Sequence, residues 1–440
     1  MGLGPSCEKI WEVSIRARLI SLDQGPSPLV TNLKKRADDL MMTHKERMLR
    51  AARGEWPDKL PWAPRLDLWY NSNSLYGTLP PEYQGYTLEQ IYDALGVAHH
   101  RIVPEFLNVR SEDDNIDRGL GLYRLWGMAY RVELQNVERV VKKESEATVV
   151  EYRTPIGNVS CKILYTEEMR KAGASITWIE EHIIKKPEDY KVVGYIFRNL
   201  KVTPDYDNYR QYQEKVGDRG FAAAFANLSA SPMHHIMKEF MSPTQFYLEL
   251  YDHPKELEQL CEDMEPYFDS VFRILADSPA EVVFSGANFD EMLTYPPFFE
   301  KYIMPYLQKL SSLLHEKGKL LLCHCDGENQ GLLHLLAESG MDIAEAICPQ
   351  PMTKCTISEI KKAFKDKVTI FGGVPSVVLE EESMTDEEFE AFMRRLFKEI
   401  APGYRFILGV ADTVPANAKF SRIKRIGEMV NEWGTLPMKL

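Results

Sequence analysis

Between residues 281 and 433 the chain passes five times from a short apolar run to a longer amphipathic stretch. The runs are "AEVVFSG", "KLLLCHC", "MDIAEAIC", "KVTIFGG" and "YRFILGV". Stretches such as "PPFFEKYIMPYLQKLSSLLHEKG", "DEEFEAFMRRLFKEI" and "AKFSRIKRIGEMVNEW" follow them with helical spacing. Apolar runs without clean alternation suit strands buried on both faces. Strands separated by helices pair in parallel. With the earlier strand candidates, eight such units fit in residues 45–435, and the pattern predicts a (β/α)8 TIM barrel within α/β architecture. A doubly wound open sheet is the competing arrangement.

The rest of the chain is less regular. Residues 1–42 read as an N-terminal extension: "EKIWEVSIRARLISL" has amphipathic spacing, and Gly25, Pro26 and Pro28 break it. The barrel is expected over 43–440, opening with a helix from Thr43 to Arg53. Thr43 supplies its N-cap, Glu46 the capping-box partner and Gly54 its end. "RVVKKESEATVVEYRTPIGNVSCKILY" alternates as antiparallel strands do. A strand is expected at 220–226, and a long helix at 254–277.

Bulk properties exclude some functions. At 440 residues and 44% hydrophobic, the chain can bury a large core. Its formal net charge of −12 disfavours nucleic acid and anionic membrane as partners. No apolar run approaches the ~18–20 residues that span a bilayer. Glu8 and Glu12 interrupt any leader-like segment, so a cytoplasmic location is expected. Seven cysteines are an odd number and make no disulfide framework.

In a barrel, chemistry concentrates where strands end. After the runs come Asn288, Asp290 and Glu291; then Cys323, His324, Cys325, Asp326 and Gly327; then Glu345 and Cys348; Gly372 and Gly373; and Asp412 with Thr413. Strand alternation sends His324 and Asp326 to one side and Cys323 and Cys325 to the other. Either pair offers donors that zinc accepts, while buried cysteines more often act as small apolar groups. Glu345 sits inside an apolar run, where a carboxylate needs a partner, a metal or a proton. A salt bridge to a neighbouring strand is the plainer account. "WAPRLDLWYNSNSLYG" places Arg65, Asp67, Trp69 and Tyr70 after a first strand, a mixture that suits a planar organic substrate as well as ordinary packing. His99 and His100 read as surface residues. His234 and His235, being adjacent, point apart. "FGGVPS" suits a tight turn or an approach to phosphate.

With these residues in view, the chain resembles the uroporphyrinogen decarboxylase superfamily, which includes cobalamin-dependent methyltransferases on the same barrel. The likeness runs from about Thr43 to Trp433. It is carried by "THKERMLRAARGEWPDKLPW", "PPFFEKYIMPYLQKL", "HCDGENQGLLHLLAESGMDIAEA" and "VADTVPANAKFSRIKRI". Setting Gly327 on the methyltransferases' His-x-Cys-Gly motif places His324 on the histidine and Asp326 where they carry a cysteine. Their third ligand, also a cysteine, falls near Val410 to Asp412. The resemblance therefore implies an oxygen-rich zinc site drawn from His324, Asp326, Glu345 and Asp412. The arginine-rich loop that holds propionates in true decarboxylases is replaced by "PRLDLWYNSN".

The function this implies is methyl transfer, zinc-assisted, from a small methoxylated aromatic substrate to a cobalamin (corrinoid) carried by a partner protein. Glu345, kept protonated, would donate a proton, with Asn288 and Asp290 beside it. Arg65, Asp67, Trp69 and Tyr70 would hold the substrate, and His324, Asp326 and Asp412 the metal. Self-association is left open. The alternative is a metal-free decarboxylase acting on another substrate, and a third reading is a non-catalytic barrel.

Overall fold

Thr43 and Glu46 form the reciprocal cap that their spacing predicts, and Gly54 closes helix His44–Arg53 in the left-handed region (φ 73°). This helix lies near the start of the computed structural model, which describes residues 42–102, 116–174 and 176–440. The expected extension over 1–42 lies, but for its last residue, outside the described residues; a compact unit runs from Thr43 to Leu440. The Thr369 hydroxyl donates to the carbonyls of Ala51 and Ala52 (3.0 and 3.2 Å), and Lys45 pairs with Glu281 at 2.6 Å. Both partners stand at strand beginnings, so the helix covers the N-terminal end of the barrel.

Six antiparallel strands precede the regular half. Strands β2 (Glu138–Lys143), β3 (Ala147–Thr154), β4 (Gly157–Leu164) and β5 (Trp178–Glu181) form one sheet in chain order. β1 (Tyr130–Leu134) pairs with β6 (Leu200–Pro204). The alternation read from the sequence is the cause: Val159, Cys161 and Ile163 of β4 are buried while Ser160 and Lys162 are more open. Buried Asp117 accepts from Tyr152 (2.9 Å) and pairs with Arg139 (2.7 Å), tying this sheet to the chain that leads into it.

The next six strands are parallel: β7 (Ala223–Asn227), β8 (Val282–Ala287), β9 (Leu320–His324), β10 (Ile343–Ile347), β11 (Thr369–Val374) and β12 (Phe406–Val410). Two short segments complete the ring. Residues 60–63 join β12 through Ala63 N–H to Leu408 O and Leu408 N–H to Pro61 O, both 2.9 Å. Residues 98–101 join β7 through Ala223 N–H to Arg101 O at 3.0 Å. Ala98 N–H to Trp62 O (2.8 Å) links the two segments to each other. Eight staves in chain order thus close on themselves, which makes the fold a (β/α)8 barrel and excludes the open sheet. The antiparallel strands are an insertion between the second and third staves.

The mouth is built with local irregularity. Asn288, Ala346 and Asp412, at the ends of β8, β10 and β12, have φ of 60°, 62° and 60°. Such conformations are uncommon for L-residues and gather at functional sites. At Ala346 the register of β10 against β11 slips by one residue. Gly372 of β11 makes room for this: a Cβ there would stand 2.5 Å from the Ile347 carbonyl oxygen. The glycine pair of "FGGVPS" is therefore strand packing, not a phosphate loop.

Candidate active site

His324 ends β9, and its side chain lies between Glu345 on the adjacent strand and Asp412 beyond β12. Nδ1 lies 2.5 Å from Glu345 Oε2 on the adjacent strand. Glu345 Oε1 in turn lies 2.8 Å from His100 Nε2. One fully buried carboxylate thus joins two imidazoles from the second and fifth staves. Burial alone would raise the Glu345 pKa, but His324 and His100 override it and hold the group at about 2. Glu345 is therefore an ionised acceptor. The expectation that burial keeps it protonated as a proton donor is corrected. Burial alone would lower His324, but the same carboxylate, with Asp412 and Asp326, raises it.

The other face of His324 looks out of the barrel. Its Nε2 lies 3.6 Å from Asp412 Oδ1, and that oxygen accepts from Arg65 at 3.0 Å. Arg65 Nε stands 4.0 Å from Asp67, and Asp67 bonds Arg101 at 2.9 Å. Opposite charges alternate along this path, so each buried ion has a counter-ion. Asp326 is less well served. It touches Asn288 Nδ2 at 3.4 Å, and burial, opposed by His324 and aided by the nearby Asp412 and Glu345 carboxylates, pushes its pKa up. Asp326 and Asp412 line a cleft of about 480 Å3 whose walls include Leu68, Cys348, Met352 and Pro415.

Other expected site residues are placed elsewhere. Asp290 shapes a loop: Oδ1 accepts from the amides of Met292 and Leu293, and Oδ2 from that of Glu328. Its carboxylate is spent on backbone. Trp69 is 2% exposed and stacks on Phe420 (4.3 Å between centroids), so it is core, not a substrate platform. Asp67 holds Arg101, and the Tyr70 hydroxyl donates to the Tyr86 carbonyl. Arg65 alone of that group reaches the mouth. Cys323 and Cys325 are buried, with the Cys325 sulfur beside Met341 (4.0 Å) and pointing away from His324.

The surface reading of His99 and His100 is overturned, since both are at most 2% exposed. His99 stacks on Tyr92 (4.1 Å), and burial holds it well below the usual range, as a neutral core ring. His100 is the residue that sequence reasoning missed. It follows the apolar "LGVA", the same strand-end position that singled out His324. Among the described residues no three His, Cys, Asp or Glu side chains stand together as a metal site. The donor types at the mouth nevertheless suit zinc. His324 presents Nε2 while a carboxylate holds Nδ1, the arrangement of most metal-bound imidazoles, and Asp326 and Asp412 offer oxygen.

Comparison with known proteins agrees with this architecture. A methyltransferase from Methanosarcina mazei shares the fold at a TM-score of 0.50, covering 89% of this chain and 99% of its own, at 14% sequence identity. No curated protein matches the chain in sequence. No helix among the described residues is long and apolar enough to cross a membrane. The model of the family described as uroporphyrinogen decarboxylase (URO-D) matches residues 157–433, from β4 of the insertion to the last barrel helix. By this match over most of its length, the chain belongs to the uroporphyrinogen decarboxylase family.

Proposed function

We propose that the protein is a methyltransferase that takes a methyl group from a small methoxylated aromatic compound and passes it to a corrinoid held by a partner protein. The observation that carries this reading is the His324 ring: fixed on its inner side by Glu345, with its outer nitrogen 3.6 Å from Asp412, which lines a mainly apolar cleft together with Asp326. An aryl methyl ether is inert because phenolate leaves poorly unless its developing charge is met. Apolar walls such as Leu68, Met352 and Pro415 suit the aromatic ring. Glu345 and His100 hold the imidazole in one orientation, so Nε2 stays directed at Asp412 on the cleft wall without rearrangement. Arg65 neutralises Asp412 and keeps its carboxylate close to that nitrogen.

Zinc would be held by His324 Nε2, Asp326 and Asp412, and when bound supplies a Lewis acid for the ether oxygen. The corrinoid, when docked, supplies the nucleophile that accepts the methyl group. Everything else falls to the chain: orientation of the ring, exclusion of water and charge balance at the floor of the cleft.

A second reading is metal-free decarboxylation. One observation favours it: Glu345, Asp412 and Asp326 together raise the His324 pKa, which suits a proton donor. The two separate in one experiment. Purified protein is assayed for zinc, then incubated with reduced cobalamin and a panel of methoxylated aromatics, with and without a chelator. Chelator-sensitive methylation of the cobalamin, with the matching phenol released, is expected. No methylation across the panel, with carbon dioxide released from aromatic acids, would overturn the methyltransferase reading in favour of the second.

A further inference from the structure

One wall of the cleft is not part of the barrel. Among the described residues that line it, Ala172 alone comes from the antiparallel insertion; the others follow barrel staves. Ala172 lies in the connection between β4 and β5, which leaves its own sheet to form the short helix Glu167–Lys171. Thr166 caps that helix, and the amides of Ala172 and Ala174 donate back to the Glu168 and Met169 carbonyls at 2.9 and 2.8 Å. The connection docks on helix Asp67–Tyr76, just beyond the first stave. Ser72 Oγ donates to the Lys171 carbonyl (2.6 Å), and the Tyr76 hydroxyl donates to Glu167 (2.7 Å). Gly173 is buried with φ 74°, and a Cβ on it would stand 2.6 Å from the Leu68 carbonyl oxygen. Two backbones touch there, which glycine alone allows. Ala172, the residue before it, is exposed and shares the cleft lining with Leu68. Its neighbours fix its position, so the size of its side chain sets how far this wall reaches into the cleft.

We propose that Ala172 is a specificity-determining residue of the cleft: its methyl leaves room for the ring of the methyl donor, and a larger residue here would admit only smaller donors. The inference rests on the aromatic methyl donor proposed above. A mainly apolar wall discriminates by bulk, because it offers few polar contacts to match and excludes what does not fit. The barrel supplies the reacting groups, and the insertion supplies the size limit.

Two measurements on the intact chain separate the wall from the reaction. Cys348 lines the same cleft and serves as a reporter. Burial, with Asp326 and Glu328, pushes its thiol up to about 12, so labelling is run in mildly alkaline buffer. Wild type and Ala172→Phe are treated with N-methylmaleimide or N-pyrenylmaleimide, and peptide mass mapping follows Cys348 and the half-buried Cys261. In Ala172→Phe the bulky-to-small rate ratio at Cys348 should fall at least ~10-fold, while that at Cys261 stays constant. Methyl transfer to reduced cobalamin from 4-methoxyphenol and 6-methoxy-2-naphthol is the second measurement. The variant should raise the KM of the two-ring ether at least ~10-fold more than that of the one-ring ether. Circular dichroism checks folding, and Ala172→Leu replaces Ala172→Phe if the latter does not fold. An unchanged ratio at Cys348, an equal change at Cys261, a Cys348 that neither reagent reaches in wild type, or equal KM shifts for both ethers each overturns the assignment. A changed ratio at Cys348 alone, with no methyl transfer from either ether, supports the size limit and counts against the methyltransferase reading.

Discussion

Glu345→Gln is the substitution that asks most of this structure. The side chain is 0% exposed and has two partners, His100 Nε2 at 2.8 Å and His324 Nδ1 at 2.5 Å. A carboxylate accepts from both rings. Glutamine has nearly the same shape but offers one oxygen and one NH2 group. The ring facing the NH2 group must present a lone pair instead of a proton, and neither bond is charge-assisted any longer. A hydrogen bond to a charged group contributes about 1.5–3 kcal/mol net. Part of each survives as a neutral bond, so the loss should be on the order of 2–3 kcal/mol. Glu345→Ala leaves two buried imidazoles without their partner and should cost more, about 3–5 kcal/mol. Urea denaturation of the three proteins gives the order directly. Activity should fall in Glu345→Gln by roughly 10- to 100-fold, as for groups that orient a ligand from behind. Histidine 15N spectra should show the tautomer of His324 or His100 changed. If Glu345→Gln matches wild type in stability and activity and leaves both tautomers alone, the carboxylate does not organise this site.

Three further outcomes are expected. Glu345 is depressed from 4.5 to about 2, so its contribution is complete above pH 4.5 and is lost as the pH falls toward 2; His324, raised above 6.5, acts in the opposite sense, adding stability below pH 6.5 that fades as the pH rises through its folded value. Urea midpoints measured from pH 2 to 9 should therefore peak between these limits, and a midpoint that does not fall below pH 4.5 contradicts the pairing. His324→Ala should lose zinc and methyl transfer together with the fold retained, and Asp412→Ala should weaken zinc binding by ~10- to 100-fold or more, both read by elemental analysis and activity. Trp69→Ala should lower stability by about 3–5 kcal/mol through the lost packing on Phe420, and substrate affinity in the folded fraction should change little.

Regular elements were legible because they follow from local rules. The cap at Thr43 and Glu46 and the amphipathic helix Pro254–Asp277 need only neighbours three or four residues away. The five C-terminal strands announced themselves as apolar runs of fitting length. Of the first two staves, one was legible only as a strand before Arg65 and the other not at all, because each forms only isolated bridges to its neighbours, at Trp62 and Arg101. Their identity depends on ring closure, which no window of sequence contains. Trp69 failed for a related reason. An aromatic residue beside charges has the same composition whether it lines a cleft or, as here, packs under a helix against Phe420, far along the chain.

The site divides along the same line. That Glu345 needed a partner was readable from one charge inside an apolar strand. His324, one stave away, was within reach of that reasoning. His100 is 245 positions earlier and reaches Glu345 only because the second stave faces the sixth across a closed barrel. The ionisation state was misjudged because neither imidazole was set against Glu345, His324 having the larger effect. With no cation in view, burial dictates a protonated acid; with two imidazoles in contact, the same burial strengthens the attraction and dictates a carboxylate. The sign of the effect turned on these two contacts, His324 foremost. The rule for finding such contacts is geometric: in a barrel, every polar residue that ends an apolar run belongs to the candidate set, including those in the first two staves where the run is shortest. Applied to "LGVAHH", it would have placed one of the two histidines inside, and alternation leaves the other, His99, to pack outward on Tyr92.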